Sequence, residues 1–258
     1  MKKISVLLLV FLLSTFAFGQ EKTVPFKDGE WLRYKMSYSG FLRAGTATLE
    51  VKEEELNSKK VYHTIGKGWT TGMIKWFFKV NDTYESYFDK ETTKPYLFKR
   101  DINEGGYTIK RDIEFDVDGK KAIVKDYKKN TTKEFTADNV QDMLSSFYYL
   151  RAQNTKNLKP GDEIKLNMFI DSKIFPFRLK FLKFETLETK FGKVNTMVFS
   201  PLVQSGRIFK ENESVAIWIT NDDNKIPIKL KAAISVGSLR AELEAYKGLA
   251  NSFEIIFD

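Results

Sequence analysis

A chain of 258 residues with 22 Phe, 11 Tyr, no Cys and a formal charge of +8 has room for one substantial core or two small ones. It leans toward β structure, where flat side chains pack on pleated faces. The missing cysteine excludes a disulfide-stapled fold, a lipid-modified Cys behind a leader, and thiolate metal sites. The cationic excess forms no compact patch: its densest run, "KDYKKNTTK" at 125–133, carries Asn and Thr and reads as a solvated turn, so no nucleic-acid partner is expected.

The first residues, "MKKISVLLLVFLLSTFAFGQ", set Lys2 and Lys3 before an apolar run from Ile4 to Leu13 and end in the small residues Ala17 and Gly19. This pattern predicts a signal peptide over 1–19, cleaved after Gly19, and the apolar run is shorter than the roughly 20 residues of a bilayer crossing. Its removal leaves 40 basic residues against 34 acidic, a charge of +6. That balance reads as solubility, with an acidic envelope polymer or an anionic lipid headgroup as the alternative partner. No later segment resembles a transmembrane helix, so the expected location is the periplasm or cell envelope. Residues 20–258 show no linker or repeat and are expected to form one domain.

Period-two alternation begins at once. Leu32, Tyr34, Met36 and Tyr38 share one face against Arg33, Lys35 and Ser37, a turn spans Ser39 to Gly45, and Ala47, Leu49 and Val51 share a face of the next strand. His63, the single histidine, lies on a strand face with Val61 and Ile65 and is expected to pack there with one nitrogen satisfied. "GWTTGMIKWFFKV" then concentrates Trp69, Trp76, Phe77 and Phe78, residues able to line the mouth of an apolar or carbohydrate groove or simply to fill the core. Another hairpin follows at "YTIKRDIEFDVDGKKAIV", with Arg111 the exception on its apolar face.

The alternation breaks at "DNVQDMLSSFYYLRAQN". Asp138 predicts an N-cap with Gln141 three residues on, and Val140, Met143, Leu144, Phe147 and Leu150 trace one stripe of a helix of about four turns. Its apolar face must be buried, and in a β chain the concave side of the sheet is the available surface. Core filling is its ordinary role; framing a ligand cavity is the alternative. Arg151 ends the helix and could bind an anion, meet the terminal carbonyls or pair with an acid of the sheet.

Alternation resumes after "KPGD" with Ile164, Leu166, Met168 and Ile170, then Phe177, Leu179 and Phe181, and Val194 to Phe199. "SVAIWIT" and "IPIKLKAAISVG" flank the turn "NDDNK", and "SLRAELEAY" closes the series. Asp222 and Asp223 read as turn residues, with a calcium site as the weaker alternative. These elements predict a mainly β (α+β) fold: a curved antiparallel sheet or open, incomplete β-barrel of about a dozen strands, with one central helix packed on its concave face.

Four stretches also resemble the bacterial exported family DUF3108: "GEWLRYKMSYSGFLRAGTATLEV" at 29–51, "QDMLSSFYYLR" at 141–151, "VAIWITNDDNKIPIKLK" at 215–231 and "VGSLRAELEAY" at 236–246. They occur in order through almost the whole chain after the leader. The resemblance implies an envelope location, a mostly antiparallel β fold and no assigned activity. The architecture is similar to that of periplasmic lipoprotein carriers, whose half-barrel holds acyl chains under helices, an analogy of fold alone.

No nucleophile elbow, phosphate loop or dinucleotide fingerprint appears, and a lone histidine marks no catalytic triad. The expected function is therefore a non-enzymatic envelope protein without cofactor or metal that binds a lipid-like or polymeric envelope ligand. Its candidate contacts are Trp69, Trp76, Phe77, Tyr148, Arg151 and Trp218. A structural or protein-interaction module of an envelope assembly is the alternative, followed by an outer-membrane barrel, suggested by Phe257 near the end, and by a hydrolase.

Overall fold

The computed structural model describes residues 24–202, 215–233 and 237–256. The expected leader and Phe257 lie outside them. The first half of the chain is a meander: β1 (Trp31–Tyr38), β2 (Leu42–Leu56), β3 (Lys59–Thr70), a single helical turn α1 (Ile74–Phe77), β4 (Asn81–Asp89), β5 (Pro95–Glu104), β6 (Tyr107–Asp116), β7 (Lys121–Asp126) and β8 (Thr131–Thr136). The short β9 (Val140–Gln141) and helix α2 (Met143–Arg151) follow. A second meander then runs through β10 (Glu163–Ile170), β11 (Lys173–Thr189), β12 (Gly192–Pro201), β13 (Val215–Thr220), β14 (Pro227–Ala233) and β15 (Ser238–Lys247).

Among the described residues the expected dozen strands are fifteen, in one sheet of order β8-β7-β6-β5-β4-β3-β2-β1-β15-β14-β13-β12-β11-β10-β9. Every neighbouring pair is antiparallel except β9 with β10. The two meanders join where β1 pairs with β15, Trp31 opposite Lys247 and Tyr38 opposite Leu239. Alternation works here as the sequence requires: Leu32 and Tyr34 are buried, while Arg33 and Lys35 reach Glu244 and Glu242 at 3.1 and 3.4 Å. Turn chemistry sets the register. Asn57–Ser58 and Asp171–Ser172 both hold left-handed backbones, with φ of 50° and 63° and of 48° and 65°, as two-residue hairpin loops matched to strand twist demand.

The sheet is not closed. Its edges are β8 and β9, consecutive in the chain, and bulges between Met36 and Ser37, Tyr87 and Phe88, and Phe181 and Lys183 add local bend and twist. Across the gap, Phe169 of β10 meets Phe115 and Phe135 of the first meander at 5.9 and 6.1 Å between ring centroids. Asp171 reaches Arg100 at 2.7 Å and Arg111 at 3.4 Å. Arg111, odd on its strand face in the sequence, also pairs with Asp126 at 2.7 Å.

Helix α2 starts later than expected and is shorter, at nine residues. Asn139 adopts φ of 47°, and Val140 and Gln141 extend to pair with Asn167 and Met168, so the cap passes from Asp138 to Asp142. The Asp142 carboxylate accepts from the backbone N–H of Leu144 and Ser145 at 2.8 and 2.9 Å, and Ser145 Oγ accepts from Asp142 N–H at 2.9 Å. This is a capping box in which Ser serves in place of the usual Glu or Gln. The helix distributes its side chains over four apolar clusters. Leu144 joins Phe98, Ile113 and Phe169; Phe147 joins Leu32, Tyr34 and Leu243; Tyr148 joins Phe26, Val51 and Phe88; and Leu150 joins Leu179, Phe181 and Phe199. Gly66 of β3 admits the close approach: a Cβ there would lie 3.2 Å from Leu144 Cδ2.

Phe147 bridges two of these clusters and stacks edge-on against Tyr148 at 5.1 Å. Its replacement by Ala removes burial and leaves a hole, so Phe147→Ala is expected to lower stability by about 3 kcal/mol. The urea midpoint of the variant against the parent protein measures it. A loss below about 1 kcal/mol contradicts the packing role.

Candidate ligand-binding cleft

The C-terminal turn of α2 carries one half of a buried ion pair. Arg151 is 2% exposed and Glu30, immediately before β1, is 1% exposed. Nη1 and Nη2 donate to Oε1 and Oε2 at 2.5 and 2.8 Å, Nη2 also donates to the Pro25 carbonyl at 2.8 Å, and Nε donates to the Asn224 carbonyl at 3.0 Å. The rings of Phe26, Phe147 and Tyr148 lie 5.4 to 5.7 Å from the guanidinium carbon. Burial works to lower the Arg151 pKa, but the charge and hydrogen bonds of Glu30 outweigh it and raise it. Of the roles the sequence leaves open for Arg151, the structure shows the pairing with an acid.

Beside Arg151 a cleft opens between α2 and strands β10–β14. Phe147, Leu150, Leu179, Met197, Phe199 and Ile217 wall it, Arg151, Thr155 and Lys225 supply its polar margin, and its volume is about 80 Å³. Burial lowers the Lys225 pKa, Asp223 opposes that shift and Arg151 adds to it. A wider groove of about 450 Å³ lies between Leu187–Phe191 and β14, β15 and β1, but its lining includes Lys35, Lys190, Lys229, Glu242 and Glu244. Several of these are engaged already: Lys35 with Glu242 at 3.4 Å, and Lys190 Nζ with the Glu244 carbonyl at 2.7 Å. That groove has apolar walls too, Leu187, Phe191, Ile228 and Leu243, but they are interleaved with charge, whereas the smaller cleft carries its charge at the margin.

Of the six sequence candidates, Arg151 alone borders this cleft. Tyr148 is fully buried in the cluster of Phe26 and Phe88, and its hydroxyl has no hydrogen-bond partner. Trp218 is half-buried in β13, its indole N–H donating to Glu185 at 3.4 Å with the Lys229 ammonium 5.1 Å from its ring. Trp69 is the penultimate residue of β3, while Trp76 and Phe77 lie in α1, far more exposed. Glu30 and Asn224 were missed. The first is signalled only as a charge directly ahead of a strand, the second as the last Asn of "NDDNK".

His63 differs from expectation in having both nitrogens engaged, Nδ1 with Glu54 and Nε2 with Glu85, each at 2.9 Å, with its ring stacked on Tyr87 at 4.0 Å. Asp222 holds the β13–β14 turn: its Oδ1 accepts from Thr220 Oγ1 and from the backbone N–H of Asn224 and Lys225, at 2.6, 3.0 and 3.0 Å. No cluster of three or more His, Cys, Asp or Glu suited to a metal occurs among the described residues. No helix among them is long and apolar enough to cross a membrane.

These features define a class: an open, barrel-like β protein with a short helix lodged against its core and held at its C-terminal end by a buried ion pair. The sequence matches the DUF3108 family, a protein family of unknown function, over residues 33–244. The chain belongs to that family. Its fold is similar to that of a crystallised β-barrel-like DUF1849 protein from Brucella abortus, at 12% identity and a TM-score of 0.56, covering 86% of this chain and 98% of that one. Two further structures superpose less. One is a Bacteroides fragilis protein with a YmcC-like fold, provisionally described as exported (10% identity, TM-score 0.34, 87% and 98% coverage). The other is a Parabacteroides distasonis protein provisionally described as a lipoprotein (12%, 0.33, 87% and 99%). No curated protein matches the chain.

Two variants test the site's electrostatics. Arg151→Met strands the Glu30 charge in the interior and is expected to cost about 3 to 5 kcal/mol, whereas adding Glu30→Leu returns much of it. Urea denaturation of the single and double variants measures this coupling; independent, additive losses contradict it. Asp142 is the second test. Burial pushes its carboxyl up to about 6 from an ordinary 3.8, against the hydrogen bonds of Ser86, Ser145 and Leu144. Because the folded pKa is the higher one, the folded state favours the protonated form. Stability is full below the unfolded value and falls by on the order of 3 kcal/mol as pH rises through about 4 to 6. Asp142→Asn keeps the helix cap and should flatten that window relative to the parent protein in denaturation series across pH.

Proposed function

We propose that this protein is a non-enzymatic binding protein of the cell envelope that takes the apolar part of an anionic, lipid-like ligand into the cleft beside α2. In this reading α2 is a plug on the concave side of the sheet, and the Leu150 side chain beside the cleft is the part that yields. The observation that carries the reading is the contrast within the cleft: walls of Phe, Leu, Met and Ile side chains, with the partly desolvated Lys225 ammonium at the margin. An alkyl chain matches such walls, and a carboxylate or phosphate matches the ammonium. At about 80 Å³ the cleft is smaller than the roughly 300 Å³ at which small-molecule pockets begin. The resting volume therefore admits a chain end, and uptake of a longer chain needs Leu150 and its neighbours to shift off β10–β14. The signal-like start, the family match and the absence of catalytic motifs are consistent with this role.

Mass spectrometry of the protein purified from the envelope is expected to find co-purifying lipid, and a fluorescent fatty acid should enter the cleft. Ile217→Trp fills the space from the sheet side and should weaken probe binding by about tenfold or more, equivalent to about 1.4 kcal/mol. Protein that is consistently empty and takes up no probe contradicts the proposal.

A further inference from the structure

At the end of the sheet where β1 turns into β2 and β3 into β4, large apolar side chains project into solvent. Trp76 and Phe77 are each 86% exposed, Phe41 is 83% exposed and Met73 is 66% exposed. None of them lines the cleft beside α2. The loops are adjacent and tied together: Thr71 N–H donates to the Ala44 carbonyl at 3.1 Å, beside the turn that carries Phe41. The neck of the β3–β4 loop is closed by two hydrogen bonds between Thr70 and Val80, at 3.0 and 3.3 Å. Its far side is pinned where Gly105 N–H donates to the Lys79 carbonyl at 2.8 Å, and Phe78 lies over Gly105, where any side chain would clash. The apolar tips thus stand on a braced stem.

Exposure on this scale has a cost in water that single surface apolar residues spread over a protein do not incur, and it marks a docking face. Charge indicates its occupant. Between Thr70 and Val80 the only ionisable residues are Lys75 and Lys79, both exposed; the acids Asp82 and Glu104 lie at the base of the loop. On the neighbouring β7–β8 turn, Lys128 sits 5.9 Å over the exposed ring of Tyr107. Tips of Trp, Phe and Met interleaved with Lys have the composition of residues that enter a bilayer interface, the rings among acyl chains and the ammonium groups among phosphates. Met73, Trp76 and Phe77 share the β3–β4 loop and Phe41 lies on the β1–β2 turn, so the apolar side chains are gathered at loop tips, where they can enter a fluid interface without a complementary pocket.

We propose that this end of the molecule docks on an anionic lipid bilayer, with Trp76 and Phe77 inserted at the headgroup boundary and Lys75 and Lys79 facing lipid phosphates. The proposal rests on the surface alone and does not depend on what the cleft binds.

Protein recovered from the envelope is mixed with vesicles of phosphatidylcholine, or of phosphatidylcholine and phosphatidylglycerol, and sedimented. Binding is expected to the mixed vesicles and to be weaker to phosphatidylcholine alone. Brominated acyl chains should quench tryptophan fluorescence, and Trp76→Phe, which keeps an aromatic ring, should abolish most of that quenching. Removing two surface cations through Lys75→Ala with Lys79→Ala should weaken binding about thirtyfold. Absence of binding to both vesicles overturns the proposal. So does binding that survives Trp76→Ala with Phe77→Ala in a protein of unchanged circular dichroism. If that double variant instead loses a crosslink to an envelope protein while the parent ignores vesicles, the face is a protein interface and the proposal fails. Lipid carried in the cleft is read separately by mass spectrometry and is expected to persist in the double variant, so failure of the docking and failure of the cleft reading are distinguishable.

Discussion

The architecture converges on one guanidinium. Arg151 draws together the segment before β1 through Pro25 and Glu30, the end of α2, and the β13–β14 turn through Asn224. The Asn224 side chain extends the junction to the carbonyls of Asn251 and Ser252. A buried charge pair is a poor source of net stability, because removing both charges from water costs about as much as their attraction returns. Its effect is on specificity. Separating Arg151 from Glu30 within the interior would leave two charges dry and unpaired, which disfavours other ways of bringing helix, N-terminal segment and C-terminal tail together.

That constraint divides α2 into unlike halves. Its first turn is fixed by the Asp142 capping box and by Ser86, whose hydroxyl donates to Asp142 at 2.6 Å. Its last turn is fixed through Arg151 toward one side, while Leu150 on another side only borders the cleft. The apolar cleft therefore lies directly beside the buried ion pair. A ligand that displaced Leu150 would act on a helix whose ionic tether resists withdrawal, so local movement of the side-chain packing is favoured over undocking of the whole element.

Strands were legible in the sequence because half-buried strands alternate, as Leu32 and Tyr34 do until the bulge at Met36 and Ser37 turns Ser37 inward. The presence of the helix was legible as a break in that alternation. Its start was not, because Asp138 and Asp142 both offer a cap and the choice depends on a parallel pairing of Val140 with Asn167, which no local pattern reveals. Arg151 stood out as a cation ending a helix, but Glu30 lies 121 residues away and Asn224 73 away, and single-sequence periodicity carries no signal across such separations. Aromatic density selected Trp69, Trp76 and Phe77, yet density does not report burial: these residues ended up on a loop and its flank, and the cleft was built from Leu, Ile, Met and Phe spaced through strands that looked like ordinary core.

Pairing β1 with β15 also has a kinetic consequence. Trp31 and Lys247 are strand partners, so the ladder that unites the two meanders cannot form until nearly the whole chain is available. Most strands of each meander meet their chain neighbours across short loops, whereas joining the meanders requires closure of a far longer one, whose entropy must be lost before the contacts repay it. Until then β1 presents one unpaired edge, with Leu32, Tyr34 and Met36 along it, to whatever it meets. A chain of this design assembles from its flanks inward to its middle seam and is most vulnerable to association while it waits for its last strand.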